Sequence, residues 1–141
     1  MLLMMGTPGV GKSTQAAKIL NESDRYVACD TDAMPNFDRK LTIECVDFNL
    51  KNNKSVIVLA LNQTKAKRND FIRLARKYGV YVRIAWFIRD GRPFNRQRHK
   101  NRSLPSTYYH KKPIKESIYV SYEKQFEVPT INECDELVIV H

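Results

Sequence analysis

The sequence predicts an α/β fold in which a parallel sheet is flanked by helices. Two observations lead to this prediction. Short apolar segments alternate along the chain with segments whose apolar residues recur at helical spacing. The apolar segments also resemble strands buried on both faces, most clearly Ser55–Leu61 (SVIVLAL), which is β-branched and carries no charge. Such alternation is typical of parallel strands joined by helices, and a chain of 141 residues is expected to form a single domain, 1–141.

Five strands and four helices follow from these patterns. The predicted strands are Leu2–Met5, Tyr26–Cys29, Ser55–Leu61, Val80–Ile88 and Glu136–Val140. The predicted helices are Lys12–Leu20, Arg39–Asn52, Ala66–Tyr78, which Gly79 should end, and Ile114–Phe126. Asp90–His99 has helical character interrupted by Pro93, and the proline-containing stretch Ser103–Pro113 is expected to be a loop.

A phosphate-binding loop follows the first predicted strand. The residues GTPGVGKS fit the pattern G-x-x-x-x-G-K-[ST] without a mismatch. The glycines allow successive backbone N–H groups to converge on phosphate oxygens, and the helix that follows adds its positive end. We expect Lys12 to reach the β and γ phosphates and Ser13 to bind Mg²⁺. The predicted nucleotide-binding residues are Gly6, Thr7, Pro8, Gly9, Val10, Gly11, Lys12, Ser13 and Thr14.

Two aspartates follow the second predicted strand. Asp30 and Asp32 belong to the carboxyl edge of the sheet, where open α/β sheets bind their ligands. Phosphoryl transfer needs a group that takes the proton from the attacking hydroxyl, and a carboxylate at this edge is suited to be that general base. Either aspartate could instead cap the next helix or turn, and sequence position alone does not separate the two roles.

Positive charge is concentrated in one part of the chain. The net charge is +9, and residues 65–115 contain 16 basic and only 2 acidic residues. A basic block of this kind typically binds a polyanion, because each phosphate that is neutralised releases counterions. A solvated surface with a basic bias is the alternative. The charge distribution favours a nucleic-acid partner.

Composition also bears on the compartment. The chain has no run of about 18 apolar residues, so we expect no membrane-spanning helix, and Met1–Met5 is too short for the apolar part of a signal peptide. Three widely spaced cysteines form neither a zinc spacing nor a disulfide framework, which favours a reducing compartment. We therefore expect an intracellular protein, cytoplasmic or nuclear, that does not bind membranes.

Several segments together resemble a known kinase family. These are the phosphate loop, the Tyr26-Val27-x-x-x-x-Asp32 segment, Arg39 and, most specifically, YEKQFEVPT at residues 122–130. They are similar to the kinase domain of the polynucleotide 5′-kinase/3′-phosphatase family over about residues 3–138. The resemblance implies an adenylate-kinase-like P-loop fold that uses ATP and Mg²⁺ to phosphorylate the 5′-hydroxyl end of DNA or RNA. Because no D-x-D-x-T motif is present, we expect a kinase without a phosphatase domain.

The same resemblance implies roles for individual residues. Lys12 would act on the transferred phosphate, Asp32 would be the general base, and Arg39 would contact the nucleic-acid backbone. The segment RHKNR at 98–102 is similar to the family's lid, expected at about 95–113, in which Arg102 would stabilise the transferring charge and Arg98 would cover the ATP phosphates. Two further substrate-side positions of the family correspond to Asn62 and Arg68.

The sequence departs from the family pattern at one position that bears on catalysis. Leu59 stands where the family has an acidic residue after its central strand. If that acid places Mg²⁺ or substrate, turnover would be weak or lost here, and Asp30 is a candidate substitute. Two alternative functions therefore stay open: a nucleotide- and nucleic-acid-end-binding module with weak or no catalysis, and a small-molecule or nucleoside-monophosphate kinase. Stacking on bases or on adenine is the hypothesis for Tyr108, Tyr109 and Tyr119, against ordinary packing.

Overall fold

A five-stranded parallel sheet organises the computed structural model, which describes residues 1–88 and 115–141. This arrangement confirms the predicted α/β fold. The strands are β1 (Leu2–Met5), β2 (Tyr26–Asp30), β3 (Ser55–Leu59), β4 (Arg83–Phe87) and β5 (Glu136–Val140). The helices are α1 (Lys12–Glu22), α2 (Arg39–Lys51), α3 (Lys65–Lys77) and α4 (Glu116–Gln125), and short 3₁₀ turns span Thr31–Ala33, Pro35–Phe37 and Ile131–Glu133.

The strand order places β1 at the centre of the sheet. The order is β2-β3-β1-β4-β5, and every pair is parallel. Met4 of β1 pairs with Leu59 of β3, which in turn pairs with Asp30 of β2. The three strands therefore end at nearly the same level, and the loops after them leave the same edge of the sheet. Because neighbouring strands lie about 4.8 Å apart, β1 and β2 are separated by about 10 Å at that edge.

Alternate residues of the central strands pack on opposite faces of the sheet. Leu3 and Val58 face the side covered by α2 and α3, in a core that includes Phe71. Met4 and Ile57 face the side covered by α1. Burial on both faces explains why these strands read as continuous apolar runs in the sequence.

The observed boundaries differ from the predicted ones at three strands. β2 ends at Asp30 rather than Cys29, because Asp30 still pairs with Leu59. β3 ends at Leu59 rather than Leu61, because Leu59 already pairs with the last residue of β2. β4 begins at Arg83 rather than Val80, since the amide of Val82 donates to the Asp135 carboxylate at 2.7 Å. The predictions for Asp90–His99 and Ser103–Pro113 lie outside the described residues.

A fully buried ion pair joins α3 to the segment that follows α4. Arg68 donates to both carboxylate oxygens of Glu133, at 2.7 and 2.9 Å, and the two side chains are 0% and 3% exposed. Arg68 also donates to the backbone carbonyls of Asn62 and Glu127, at 3.2 and 2.9 Å. Glu133 accepts from the amide of Thr130 at 3.0 Å. One guanidinium therefore holds together the loop after β3 and residues 127–133.

Residue Glu127 reinforces the same junction. Its carboxylate accepts from the amide of Lys65, the first residue of α3, and its own amide donates to the Gln63 carbonyl at 2.8 Å. The carboxylate also places negative charge at the positive end of α3. The loop after β3 is thus fixed from two sides.

Within residues 1–88 and 115–141, every helix is too short or too polar to span a lipid bilayer.

Replacing Arg68 with methionine is expected to lower the free energy of unfolding by about 3 to 5 kcal/mol, because the Glu133 carboxylate then stays buried without its partner. Urea unfolding at pH 7 measures the change. The double variant R68M/E133L should recover a large part of the loss, since no charge remains buried, although the carbonyls of Asn62 and Glu127 lose their donor. If R68M unfolds like the unmodified protein, the pair does not stabilise the fold.

The same pair predicts a pH dependence of stability. Burial raises the pKa of Glu133, but the hydrogen bonds from Arg68 and Thr130 and the Arg68 charge outweigh it, so the pKa ends below the ordinary value. A lowered carboxyl pKa stabilises the fold above about pH 4.3, and this contribution disappears as the pH falls through the folded-state pKa. Urea unfolding between pH 7 and pH 3 should therefore show the stability advantage over Glu133→Gln shrinking with acidification. A constant difference would contradict the assignment.

Candidate active site

The loop between β1 and α1 can form only with glycine at its first position. Gly6 has φ +146°, and a Cβ atom there would lie 2.7 Å from the Phe87 carbonyl oxygen. Gly11, with φ 111°, makes the turn into α1. Both angles lie in a region that side chains disfavour. The backbone of residues 6–11 is therefore bent tightly around the carboxyl end of β1, as the phosphate-loop motif predicts.

The first turn of α1 presents its backbone amides at this loop. In the described part of the chain no side chain caps the helix at Gly11, whereas α2 and α3 are capped by Asp38 and Thr64. The amides at a helix start need partners, and the positive end of the helix attracts anions. The residues present therefore fit a bound triphosphate, with Ser13 placed in the first turn to offer its hydroxyl to Mg²⁺.

The Lys12 side chain turns back over the loop. Its Nζ donates to the carbonyls of Gly6 and Thr7, at 2.7 and 3.0 Å. The ammonium group thus lies against the backbone that the motif assigns to phosphate binding. A phosphate in the loop would find a positive charge already in place.

Two buried tyrosines of α4 contact the backbone of the phosphate loop. The Tyr119 hydroxyl donates to the Pro8 carbonyl at 3.3 Å, and the side chain is 1% exposed. Tyr122 is also fully buried, burial raises its pKa, and its hydroxyl interacts with the backbone of Gly6. The stacking hypothesis for Tyr119 is therefore wrong: the ring packs inside the protein. Tyr108 and Tyr109 lie outside the described residues.

The two aspartates after β2 have different positions. Asp30 Oδ1 accepts from the Asp32 amide at 2.9 Å and so caps the 3₁₀ turn Thr31–Ala33. Asp32 lies within that turn with an exposed side chain. Asp30 thus positions the backbone of Asp32, which is one of the two roles that the sequence left open.

Arg39 is the first residue of α2, and its side chain contacts α3. Its guanidinium donates to the Lys67 carbonyl at 2.5 Å and to Asp70 at 3.3 Å, and it lies 4.7 Å from the centre of the Phe71 ring. Burial lowers the pKa of Arg39 below its ordinary value, and the hydrogen bond and charge of Asp70 offset only part of this effect. Burial and the Arg39 charge both lower the pKa of Lys67. The Arg39 guanidinium is therefore anchored to α3 by the Lys67 carbonyl, the Asp70 carboxylate and the Phe71 ring.

Asn62 and Arg68 are enclosed in the protein interior. Both side chains are 0% exposed. Asn62 has φ 49° and donates from Nδ2 to the Met4 carbonyl at 3.1 Å, while its own carbonyl accepts from Arg68. In these positions Asn62 holds the loop after β3 against β1 and Arg68 holds it against residues 127–133, and their contact with substrate stays a prediction.

Leu59 gives the end of β3 an apolar surface. It is 6% exposed and packs with Met4, Ala16 and Ile57 below α1. The position at which the resembling family has an acid is therefore part of the core. Of the described acidic residues, Asp30 is the last residue of β2 at this edge and Asp32 lies in the turn that follows it.

Some predicted site residues cannot be placed. Arg98, Arg102 and the expected lid at about 95–113 lie outside the described residues. Conversely, sequence reasoning missed the structural roles of Glu127 and Glu133, which each satisfy backbone groups near the site. The YEKQFEVPT segment drew attention to Glu127 but gave no hint of its partner, and Glu133 lies beyond that segment without a sequence signal of its own.

Comparison with known proteins agrees with this architecture. The AAA_33 family model, described as an AAA domain, matches residues 1–129. Three solved structures are similar in fold. A fungal RNA kinase has a TM-score of 0.65 and 12% identity over 99% of this chain and 73% of that one. Kti12 of Chaetomium thermophilum, in complex with ADP-AlF3, has a TM-score of 0.70 and 15% identity over 99% and 87%.

A gluconokinase from Sinorhizobium meliloti 1021 has a TM-score of 0.61 and 14% identity over 98% of this chain and 79% of that one. At such identities the likeness concerns the fold alone. The family match covers most of the chain. The chain belongs to the AAA domain family and has a P-loop kinase-like fold.

Proposed function

We propose that the protein is an ATP-dependent polynucleotide 5′-hydroxyl kinase. The observation that carries the proposal is the common edge at which β1, β3 and β2 end. It brings the phosphate loop with Lys12 to within reach of the turn that carries Asp32, at a strand separation of about 10 Å. A γ-phosphate and an acceptor hydroxyl have to meet between such groups.

The chemistry needs little beyond positioning and charge. The loop amides, Lys12 and Ser13 hold the triphosphate, and Mg²⁺ at Ser13 neutralises phosphate charge when bound. The oxygen of the 5′-hydroxyl forms the new bond to the γ-phosphorus, and the Asp32 carboxylate takes the hydroxyl proton. The bond between that phosphorus and the β,γ-bridging oxygen breaks, and ADP leaves.

The acceptor is proposed to be a polymer because of the surrounding charge. Arg39 follows Asp32 by seven residues and donates to the Lys67 carbonyl at 2.5 Å as well as to Asp70, and residues 65–115 carry a large basic excess. A mononucleotide or sugar acid would need fewer cations than this. The fold shared with a fungal RNA kinase is consistent with the choice. ATP as the donor and Arg98 and Arg102 as lid residues remain part of this proposal.

One observation favours a second candidate function. Leu59 places a buried apolar side chain where the resembling kinases have an acid. A module that binds ATP and nucleic-acid ends without transferring phosphate would tolerate this replacement. Binding of both ligands with no transfer, even with Mn²⁺ and long incubation, would select this candidate over the kinase.

Lys12→Ala is expected to weaken Mg·ATP binding about 10- to 100-fold, because a charge-assisted contact to phosphate is lost. Isothermal titration calorimetry measures the affinity. Lys18→Ala removes an exposed lysine farther along α1 and is the matched control, which should bind like the unmodified protein. Equal affinities for both variants would exclude the proposed nucleotide site.

Asp32→Asn is expected to reduce transfer of phosphate from ATP to a 5′-hydroxyl oligonucleotide about 100-fold or more, because the general base is lost. Oligonucleotide affinity should change little. Asp24→Asn is the matched control, since Asp24 precedes β2 at the opposite edge of the sheet. Full activity of Asp32→Asn would rule out the base, and equal transfer to free nucleoside monophosphates or gluconate would rule out the polymer acceptor.

Asp30→Asn tests whether Asp30 substitutes for the acid missing at Leu59. The asparagine oxygen can still accept from the Asp32 amide, so the cap is kept and only the charge is removed. If the charge helps to place the metal ion, the Mg²⁺ concentration for half-maximal transfer should rise severalfold. An unchanged Mg²⁺ titration would limit Asp30 to capping.

A further inference from the structure

Phe37 is an exposed aromatic residue held in an unfavourable backbone conformation. Its side chain is 65% exposed. Both Asn36 and Phe37 have φ 55°, in the left-handed region. Asparagine tolerates this region, whereas a bulky residue there is a marked exception. Core packing does not explain the choice of phenylalanine, because most of the ring lies in solvent.

Hydrogen bonds fix the turn that carries Phe37. The Phe37 amide donates to the Met34 carbonyl at 3.0 Å. The Thr42 hydroxyl lies 3.0 Å from the Thr31 hydroxyl and 3.2 Å from the Asp38 carbonyl, and the Asp38 side chain caps α2. The turn is therefore tied to α2 at its start and at its end. The backbone that carries the Phe37 ring is therefore fixed before any ligand binds.

The position of Phe37 in the chain relates it to the proposed acceptor site. It follows Asp32 by five residues and precedes Arg39 by two, within one short connection between β2 and α2. The connection thus contains a carboxylate, an aromatic side chain and a cation in sequence. Arg39 also donates to the Lys67 carbonyl at 2.5 Å and pairs with Asp70 at 3.3 Å, so Lys67 supplies a second positive charge beside it. Single-stranded nucleic acid is bound by this combination, in which cations contact phosphates and aromatic rings stack on bases.

We propose that Phe37 stacks on the 5′-terminal base of the acceptor strand, while Arg39 and Lys67 contact the phosphate that follows it. The inference rests on the proposed function and names its substrate more closely. A terminal base that stacks on Phe37 cannot stay paired and stacked in a duplex, so the acceptor is a single-stranded or frayed 5′ end. Stacking tolerates any base, and the site should therefore show little sequence preference.

Transfer kinetics with an abasic substrate test the stacking directly. Phe37→Leu should raise the KM for a single-stranded 5′-hydroxyl oligonucleotide about 10-fold, within the range that one base stack contributes, while the KM for ATP stays unchanged. With an oligonucleotide whose 5′-terminal nucleotide lacks its base, the two proteins should have equal KM. An equal loss on both substrates would overturn the proposal, since the ring would then act without a base.

Phe48→Leu is the matched control. Phe48 is 66% exposed, almost the same as Phe37, but it lies about 13 Å farther along α2 than Arg39. Its replacement should leave both KM values unchanged. A second variant, Phe37→Asn, suits the left-handed backbone, so it should unfold at the same or a higher temperature while losing affinity for the oligonucleotide. Loss of both stability and affinity would indicate a structural role and overturn the proposal.

A binding measurement separates this inference from the kinase activity itself. An oligonucleotide with 2-aminopurine at its 5′ end should lose fluorescence on binding, and the quenching should be absent in Phe37→Leu and weak when the probe is internal. Terminal quenching without any phosphate transfer would keep the stacking site and reject the kinase. Transfer without terminal quenching, or quenching that survives in Phe37→Leu, would reject the stacking site and leave the kinase proposal intact. Absence of oligonucleotide binding would reject both.

Discussion

The buried pair of Arg68 and Glu133 is the interaction on which the arrangement of the site depends. A guanidinium with 0% exposure is tolerated only because the carboxylate and two backbone carbonyls, of Asn62 and Glu127, surround it. Those partners belong to two separate parts of the chain, the loop after β3 and residues 127–133. The loop after β3 and the segment after α4 are therefore fixed relative to α3, and α4 is held where Tyr119 contacts the phosphate loop.

This framework divides the edge of the sheet into regions of different chemistry. Over β1 the phosphate loop and the start of α1 present amides and the Lys12 ammonium to an anion. Over β3 the surface is apolar at Leu59, and the Asn62 amide donates to the Met4 carbonyl. Over β2 the turn with Asp32 is exposed to solvent. Leu59 therefore removes the acid that the resembling family has after β3, whereas Asp30 and Asp32 keep acidic side chains at the end of β2.

The connection between β2 and α2 combines rigidity with exposure. Hydrogen bonds at Thr31, Asp38 and Thr42 hold it, yet its Phe37 ring lies largely in solvent on a strained backbone. Strain of this kind persists where the surrounding structure over-determines the backbone, and it is concentrated at sites that bind ligands. The short connection next to the proposed base is therefore a specificity element as well as a link between two secondary-structure elements.

The sequence alone determined the strand and helix pattern and the phosphate loop, because buried parallel strands are apolar throughout and a tight phosphate loop requires glycines at set positions. It did not determine the partners of Arg68, Glu133 and Tyr119, since the Arg68–Glu133 and Tyr119–Pro8 contacts join residues 65 and 111 positions apart and leave no local pattern. For the same reason the sequence left open whether Arg68 contacts substrate and whether Tyr119 stacks or packs. Only the tertiary structure decided that both are enclosed, because burial depends on how the loop after β3, α4 and the phosphate loop pack together.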